Sequence, residues 1–408
     1  MLASASKRMD GRSRLALGAS LVGAVAGLLS ACGVDVVVGI NRVREESTAD
    51  AAIDRAEPPD GSDGDASLEP SSLLAVRRGP TEHAAAGIVR CTSADDPACD
   101  GWLTSVSGLP SVVERVRFGG AGADAVRSLA FVGPDPIVVG TRGAPTVGAW
   151  LARTSGGGVT WELPLSSQAS APSSGRGVDI APNGVVVALG RETVAGAEVG
   201  FVARVSADGA LLSRVRLDSA PSTKDAAVDV VAVLVDGKIY VGGSRRVVED
   251  GGAADVPVVI ELAADLTLFG SSTGAGLPGE GSVRGLLAER SAEITACAQS
   301  GDGVGVVRMR DSLDVEYASR VIVEPNARVV LGGCVVADDG AIVLVGTRDG
   351  SPPRPWAAKL DRLSLAPTWT RTYTTLAGRL TAVAPAANGA ALAVGTSGAS
   401  AFALTIEP

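Results

Sequence analysis

Histidine is almost missing from this sequence: the 408 residues contain one, His83. A single imidazole leaves no multi-histidine metal site and argues against histidine-dependent catalysis. Aromatics make up only 3%, with three tyrosines, so a core must be built from Val, Leu, Ile and Ala. No Walker loop, zincin motif or nucleophile elbow occurs in the chain. Basic charge is also short: 36 Lys and Arg against 45 Asp and Glu give a net charge of −9. Clustered Lys and Arg of the kind that displaces counterions from nucleic acid are absent. These shortages point to a protein with no cofactor, no metal and no nucleic-acid partner, and they favour a non-enzymatic role.

What the chain does carry at its start is an address. Lys7, Arg8, Arg12 and Arg14 precede an uncharged run from Leu15 to Ala31. That run is short for a membrane span and suits the apolar core of an export signal. It ends in Leu29-Ser30-Ala31-Cys32-Gly33, which resembles a bacterial lipobox. The resemblance implies a diacylglyceryl group on the Cys32 thiol, cleavage before Cys32 and acylation of the new amine. Gly33 in place of Asp implies passage to the outer membrane. A plain signal peptide, or an anchor helix that happens to hold a cysteine, is the alternative. Each buried acyl methylene contributes about 0.8 kcal/mol, so several chains together anchor stably.

Cleavage before Cys32 removes four basic residues and one acid, taking the net charge from −9 to about −12. Much of that charge is concentrated: nine acids lie between Glu45 and Glu69 against the single Arg55, with Pro58-Pro59 among them. A segment so acidic and so poor in apolar residues buries too little surface to offset its ordering entropy. The organisation expected is therefore a signal peptide (1–31), a lipidated Cys32 with a disordered acidic tether (32–85), a disulfide-containing segment (86–111) and a repeat domain (112–408). His83 falls at the end of the tether and reads as a solvated loop residue.

The repeat appears about six times. An apolar strand ends in Ala, a turn follows, and a second strand ends in Gly about ten residues later, as in Leu129-Ala130 to Gly140 and Ile180-Ala181 to Gly190. The turns carry hairpin signals: Asn183-Gly184, Asp236-Gly237, Asp339-Gly340 and Asn388-Gly389. A third strand such as Phe201-Val202-Ala203-Arg204 and a fourth such as Leu211 to Leu217 complete the unit. A period of about 50 residues with four short strands is that of a β-propeller blade. The last unit ends at Pro408 without its fourth strand. Val113 to Phe118, just ahead of the first unit, is expected to fill that place by pairing with Phe402 to Ile406. The fold expected is thus all-β, a six-bladed propeller of four-stranded antiparallel blades. A β-sandwich or solenoid of the same period is the alternative.

The units resemble secreted bacterial propeller repeats, and lipobox plus propeller is similar to the lipoprotein that assists outer-membrane barrel assembly, although that family's blade number and tryptophan pattern are not found. Thr154 to Trp161 resembles the Asp-box of sialidase-type propellers, with Gly156 at the Asp position, and reads as a plain hairpin. After the second strand, four units place an arginine: Arg142, Arg191, Arg245 and Arg348. Loops at that position open on one face, so these guanidiniums are candidates to ring a mouth and hold a carboxylate, phosphate or sulfated glycan. Exposed hairpin charge is the plainer reading. The remaining cysteines are expected to pair as Cys91–Cys99 and Cys297–Cys334, since exported chains meet oxidising conditions.

The functional expectation is an envelope-anchored propeller that binds a protein or an anionic glycan, its membrane contact made by the lipid. A divergent glycan-active hydrolase or lyase, or an outer-membrane assembly scaffold, is the rival.

Overall fold

In the computed structural model, which describes residues 35–38, 41–44 and, short connecting segments such as 90–99 apart, residues 71–408, the apolar runs pair into seven antiparallel sheets. Two short strands come first, β1 (Asp35–Val38) and β2 (Asn41–Arg44). Blade 1 is β3 (Ser71–Arg78), β4 (His83–Val89), β5 (Asp100–Val106) and β6 (Val112–Phe118). Blade 2 is β7 (Ala125–Val132), β8 (Asp135–Arg142), β9 (Gly148–Ser155) and β10 (Gly158–Pro164). Blade 3 is β11 (Ser173–Ile180), β12 (Val186–Val194), β13 (Ala197–Val205) and β14 (Leu211–Arg216). Blade 4 is β15 (Ala226–Val233), β16 (Ile239–Glu249), β17 (Gly252–Leu262) and β18 (Leu268–Thr273). Blade 5 is β19 (Val283–Ala288), β20 (Ile294–Ser300), β21 (Gly303–Met309) and β22 (Val315–Ile322). Blade 6 is β23 (Val329–Val336), β24 (Ile342–Arg348), β25 (Arg354–Leu360) and β26 (Pro367–Thr372). Blade 7 has β27 (Arg379–Pro385), β28 (Ala391–Ser397) and β29 (Ser400–Ile406) from the end of the chain.

The expectation of six blades is corrected to seven. Val112–Phe118 is the outer strand of blade 1, paired with β5 through Leu103↔Val116 and Gly101↔Phe118, and does not close the ring. The closing strand is β1, which pairs with β29 through Val36↔Leu404, Val37↔Ala403 and Val38↔Phe402. Blade 1 was hidden because its second strand, His83-Ala84-Ala85-Ala86-Gly87, has no β-branched residue before Gly87 and follows no Asn-Gly or Asp-Gly turn. The boundaries at 85 and 111 shift for the same reason. Blade 1 begins at Ser71, and the acidic run from Glu45 to Glu69 falls between β2 and β3 rather than between an anchor and the propeller.

Seven apolar clusters hold the ring, one at each interface between adjacent blades. They are built from Val, Leu, Ile and Ala, with Phe201, Phe402 and Trp356 as fully buried large side chains in three of them. Each fully buried aliphatic or phenyl side chain contributes about 1.5–3 kcal/mol. The seam between blades 7 and 1 has polar staples as well. Thr381 Oγ1 donates to Leu73 O at 2.6 Å, and the Nε2 of His83 lies 2.7 Å from Pro385 O. His83 is therefore a half-buried strand residue in the seam, not a loop residue in solvent. Arg78 forks onto both oxygens of Asp338 at 2.7 and 2.9 Å, reaching from blade 1 to blade 6.

Cys297 and Cys334 are disulfide-bonded, with Cα atoms 6.5 Å apart. The bond joins the second strand of blade 5 to the inner strand of blade 6. It crosses β19 at Gly285, where a Cβ would lie 2.5 Å from the Cys334 sulfur. Glycine at that position opens the path. Cys91 and Cys99 lie outside the described residues.

Candidate binding site at the channel mouth

The inner strands β3, β7, β11, β15, β19, β23 and β27 surround an axial channel of about 380 Å³. Each carries a β-bulge at one height. The residue left out of the ladder is Leu74, Arg127, Arg176, Asp229, Arg284, Gly332 or Thr381, in blade order. A bulge re-aims one side chain and leaves the flanking strand intact. All seven of these residues line the channel. They form a ring with two unlike arcs: Arg127, Arg176, Asp229 and Arg284 on one side, Gly332, Thr381 and Leu74 on the other.

The repeated glycine of the second strand follows from the same bulge. In every blade but the fifth, the residue just before the bulge pairs with a Gly, as in Val126↔Gly140, Gly175↔Gly190 and Leu331↔Gly346. A Cβ on Gly140 would meet the Ala125 carbonyl oxygen at 1.9 Å, and one on Gly395 the Arg379 oxygen at 1.8 Å. Blade 5 has Ala298 there.

Asp229 is the one carboxylate of the ring. Its Oδ1 accepts from Arg191 at 2.6 Å and its Oδ2 from Arg284 at 3.3 Å. Arg191 also donates to Glu198 at 2.9 Å and to Val228 O at 3.2 Å, so each of its three nitrogens has an acceptor. Arg176 donates only to the Ser174 hydroxyl, at 3.2 Å, and among the described residues Arg127 has no hydrogen-bond or ion-pair partner. Arg127 is open to channel solvent, yet burial by the surrounding walls, and then the charge of Arg176, hold its guanidinium below the ordinary value. Burial, followed by the charge of Arg191, does the same to Arg176. Three ring arginines thus face one carboxylate that is already engaged.

The four arginines of the sequence reading are placed as follows. Arg191 and Arg245 lie on the second strands of blades 3 and 4; Arg142 and Arg348 end those of blades 2 and 6. They lie one strand outside the channel ring. Arg191 joins the Asp229 cluster, whereas Arg142 pairs with Glu162 at 2.5 Å and sits 5.4 Å from the centroid of the Trp150 ring. The ring arginines Arg127, Arg176 and Arg284 were missed. They fall thirteen or fourteen residues ahead of the glycine (Ala298 in blade 5) that ends the second strand, and that count is the signal that finds them.

Above the polar arc, a basin of about 690 Å³ opens over blades 3–6, sharing Arg176, Asp229 and Arg284 with the channel. The hairpin of β16 and β17 has eleven residues on each strand and exposes Val248 (78% accessible) near its tip. Residues of the third tyrosine-bearing strand apart, the tyrosines are not poised for nucleophilic attack: Tyr240 is fully buried, and burial pushes Tyr373 up to about 12. Among the described residues no three His, Cys, Asp or Glu side chains gather as a metal site. The Thr154–Trp161 segment forms the hairpin of β9 and β10, and its Trp161 indole donates to Ala207 O at 3.2 Å in blade 3.

The fold and mouth define a β-propeller with a polar channel ring, and comparisons with known proteins agree on the fold alone. No family model matches the chain, and no curated protein matches it. Among solved structures it is similar to Sqt1 of Chaetomium thermophilum, at 13% identity and a TM-score of 0.50, covering 83% of this chain and 97% of that one. A protein of unknown function from Bacteroides caccae gives 10% identity and a TM-score of 0.48 over 77% and 98% of the two chains. The Dos1 propeller gives 8% and 0.48 over 82% and 92%.

Proposed function

We propose that this chain is a non-enzymatic binding propeller, held in the bacterial cell envelope by lipid on Cys32, with the channel mouth as its ligand face. The observation that carries the binding reading is the ring: guanidiniums outnumber carboxylates three to one, and the single carboxylate is tied down by Arg284 of the ring and by Arg191 from outside it. Retaining and inverting glycosidases need two carboxyl groups across the scissile bond. The ring offers one, already engaged, while Asp255 and Glu280 line the basin above it; the excess of guanidiniums on the ring itself favours binding over a hydrolase or lyase. Its charge favours an anionic ligand, such as an acidic glycan of the envelope, because a guanidinium fork matches carboxylate oxygens.

The lipid reading rests on the charged apolar leader and the Leu29–Cys32 motif, with Gly33 directing the product to the outer membrane. The closing strand starts at Asp35, three residues after Cys32. A span of three residues reaches about 10 Å at most, so a lipid on Cys32 would leave only a short length of chain before the closing strand. Fractionation of cells tests the anchor: wild-type protein sediments with membranes and takes up labelled palmitate, and Cys32→Ser does neither. Soluble, unlabelled wild-type protein contradicts it.

A further inference from the structure

We infer that the channel beneath the mouth is a site for a small organic carboxylate, its head group held by Arg127 and Arg176 and its apolar body directed down the channel. The inference rests on the mouth being the ligand face and adds the chemical class of the occupant.

Three observations converge. The first is unspent hydrogen-bonding capacity. Arg127 has no partner among the described residues and Arg176 has one hydroxyl, so most of the ten N–H donors of the two forks face the channel without an acceptor. Their neighbours on the ring, Asp229 and Arg284, are already bonded to each other. Adjacent guanidiniums without an anion between them repel, and low-dielectric walls strengthen that repulsion. A single anion at this height relieves both.

The second observation is shape. The channel volume of about 380 Å³ lies at the small end of the range that small-molecule pockets occupy. It suits a compact molecule and excludes a folded partner. The third is the change of lining along the axis. Past the ring the inner strands place Leu129, Val178, Val231, Leu286, Val335 and Val383 around the channel, together with Arg77, which is paired with Asp179 at 2.8 Å. A bare inorganic anion satisfies the guanidiniums and leaves this surface wet. A carboxylate on an apolar body satisfies the arginines and covers the aliphatic wall. Asp229 beside the arginines also disfavours a second negative charge on the ligand, which selects a monocarboxylate over phosphate.

Benzoate is the probe, measured by calorimetry on the exported domain with its disulfide intact. Acetate, inorganic phosphate and polygalacturonate at matched ionic strength are the comparison ligands. Benzoate is expected to bind at one site per chain, at least tenfold tighter than acetate or phosphate. Arg127→Gln and Arg176→Gln are each expected to weaken it tenfold or more, and Arg348→Gln to leave it unchanged. Should either ring variant fail to fold, phenylglyoxal modification of the wild-type protein gives the same answer. Benzoate should protect Arg127 and Arg176, and not Arg348, as read by peptide mass spectrometry. Absence of benzoate binding, phosphate binding as tight as benzoate, or binding that ignores both variants overturns the inference. If benzoate fails while polygalacturonate still binds, the channel assignment falls and the mouth reading stands. If both fail, the mouth reading falls with it.

Discussion

The two arcs of the channel ring are built to opposite ends. Blades 6, 7 and 1 place Gly332, Thr381 and Leu74 at the bulge, carry no charge there, and contain the seam where the two ends of the chain meet. Thr381 spends its hydroxyl on that seam, donating across it to Leu73 O at 2.6 Å. Blades 2 to 5 follow one another along the chain without a seam, and their bulges hold three arginines and an aspartate. The Cys297–Cys334 bond sits where the arcs join, between blades 5 and 6. The difference teaches where a closed ring tolerates uncompensated charge. The chain's two ends meet inside blade 7, where β1 pairs with β29, and the ring positions in that blade and its two neighbours are small, neutral or hydrogen-bonded. Blades 2 to 5, away from that closure, keep polar groups that do not fully satisfy one another.

Breaking the seam has the largest expected effect. Deleting residues 1–85 removes β1, β2, β3 and the first three residues of β4, which strips blade 7 of its outer strand and blade 1 of its inner one. Two open sheet edges and the loss of Leu73 and Val76 from the blade 7–blade 1 cluster follow. The expected outcome is loss of the cooperative thermal transition, checked by circular dichroism. A melt like that of the full chain refutes the seven-bladed closure.

The junction between the arcs comes next. In Gly285→Ala the new methyl meets the Cys334 sulfur at 2.5 Å, so the disulfide cannot form without displacing β19 or β23. For a sequence separation of 37 residues, the chain-entropy contribution of the bond is about 4 kcal/mol. Free-thiol counting should find two more thiols than in wild type, and the denaturation midpoint should fall. An intact bond in the variant shows that glycine is not what opens the path.

How much of this the sequence disclosed depended on the type of residue that carried each signal. Blades with Asn-Gly or Asp-Gly turns and β-branched second strands were legible, and so was the Cys297–Cys334 pair, because a four-strand period places those cysteines on adjacent blades. Blade 1 was not, since Ala84, Ala85 and Ala86 have weak strand preference and give no alternation. Closure across the termini was anticipated but assigned to Val113–Phe118, because that segment stood next to the first unit recognised. The ring was hidden for a geometric reason. The bulge is common to all seven inner strands, but the stretch from it to the Ala before the turn varies, being three, five, three and four residues beyond Arg127, Arg176, Asp229 and Arg284. Counting back from the second-strand Gly (Ala298 in blade 5) narrows that scatter to thirteen or fourteen residues, because the ladder fixes the pairing there.

The account stands or falls on whether the charged arc is kept at a cost to the empty protein while the seam arc is structural. Thermal melts of Arg127→Gln and Thr381→Val, side by side with wild type in a low-chloride zwitterionic buffer, test this most directly. Burial and Arg176 hold the Arg127 guanidinium below its ordinary value, so the folded protein disfavours that charge and a neutral amide relieves it. Arg127→Gln should therefore raise Tm slightly, the effect being small because the side chain is open to channel solvent. Thr381→Val loses the donor to Leu73 O, worth about 1 kcal/mol, and should lower Tm. Opposite signs support the account. A fall in Tm for Arg127→Gln matching that for Thr381→Val would make the arginine a structural element and contradict it.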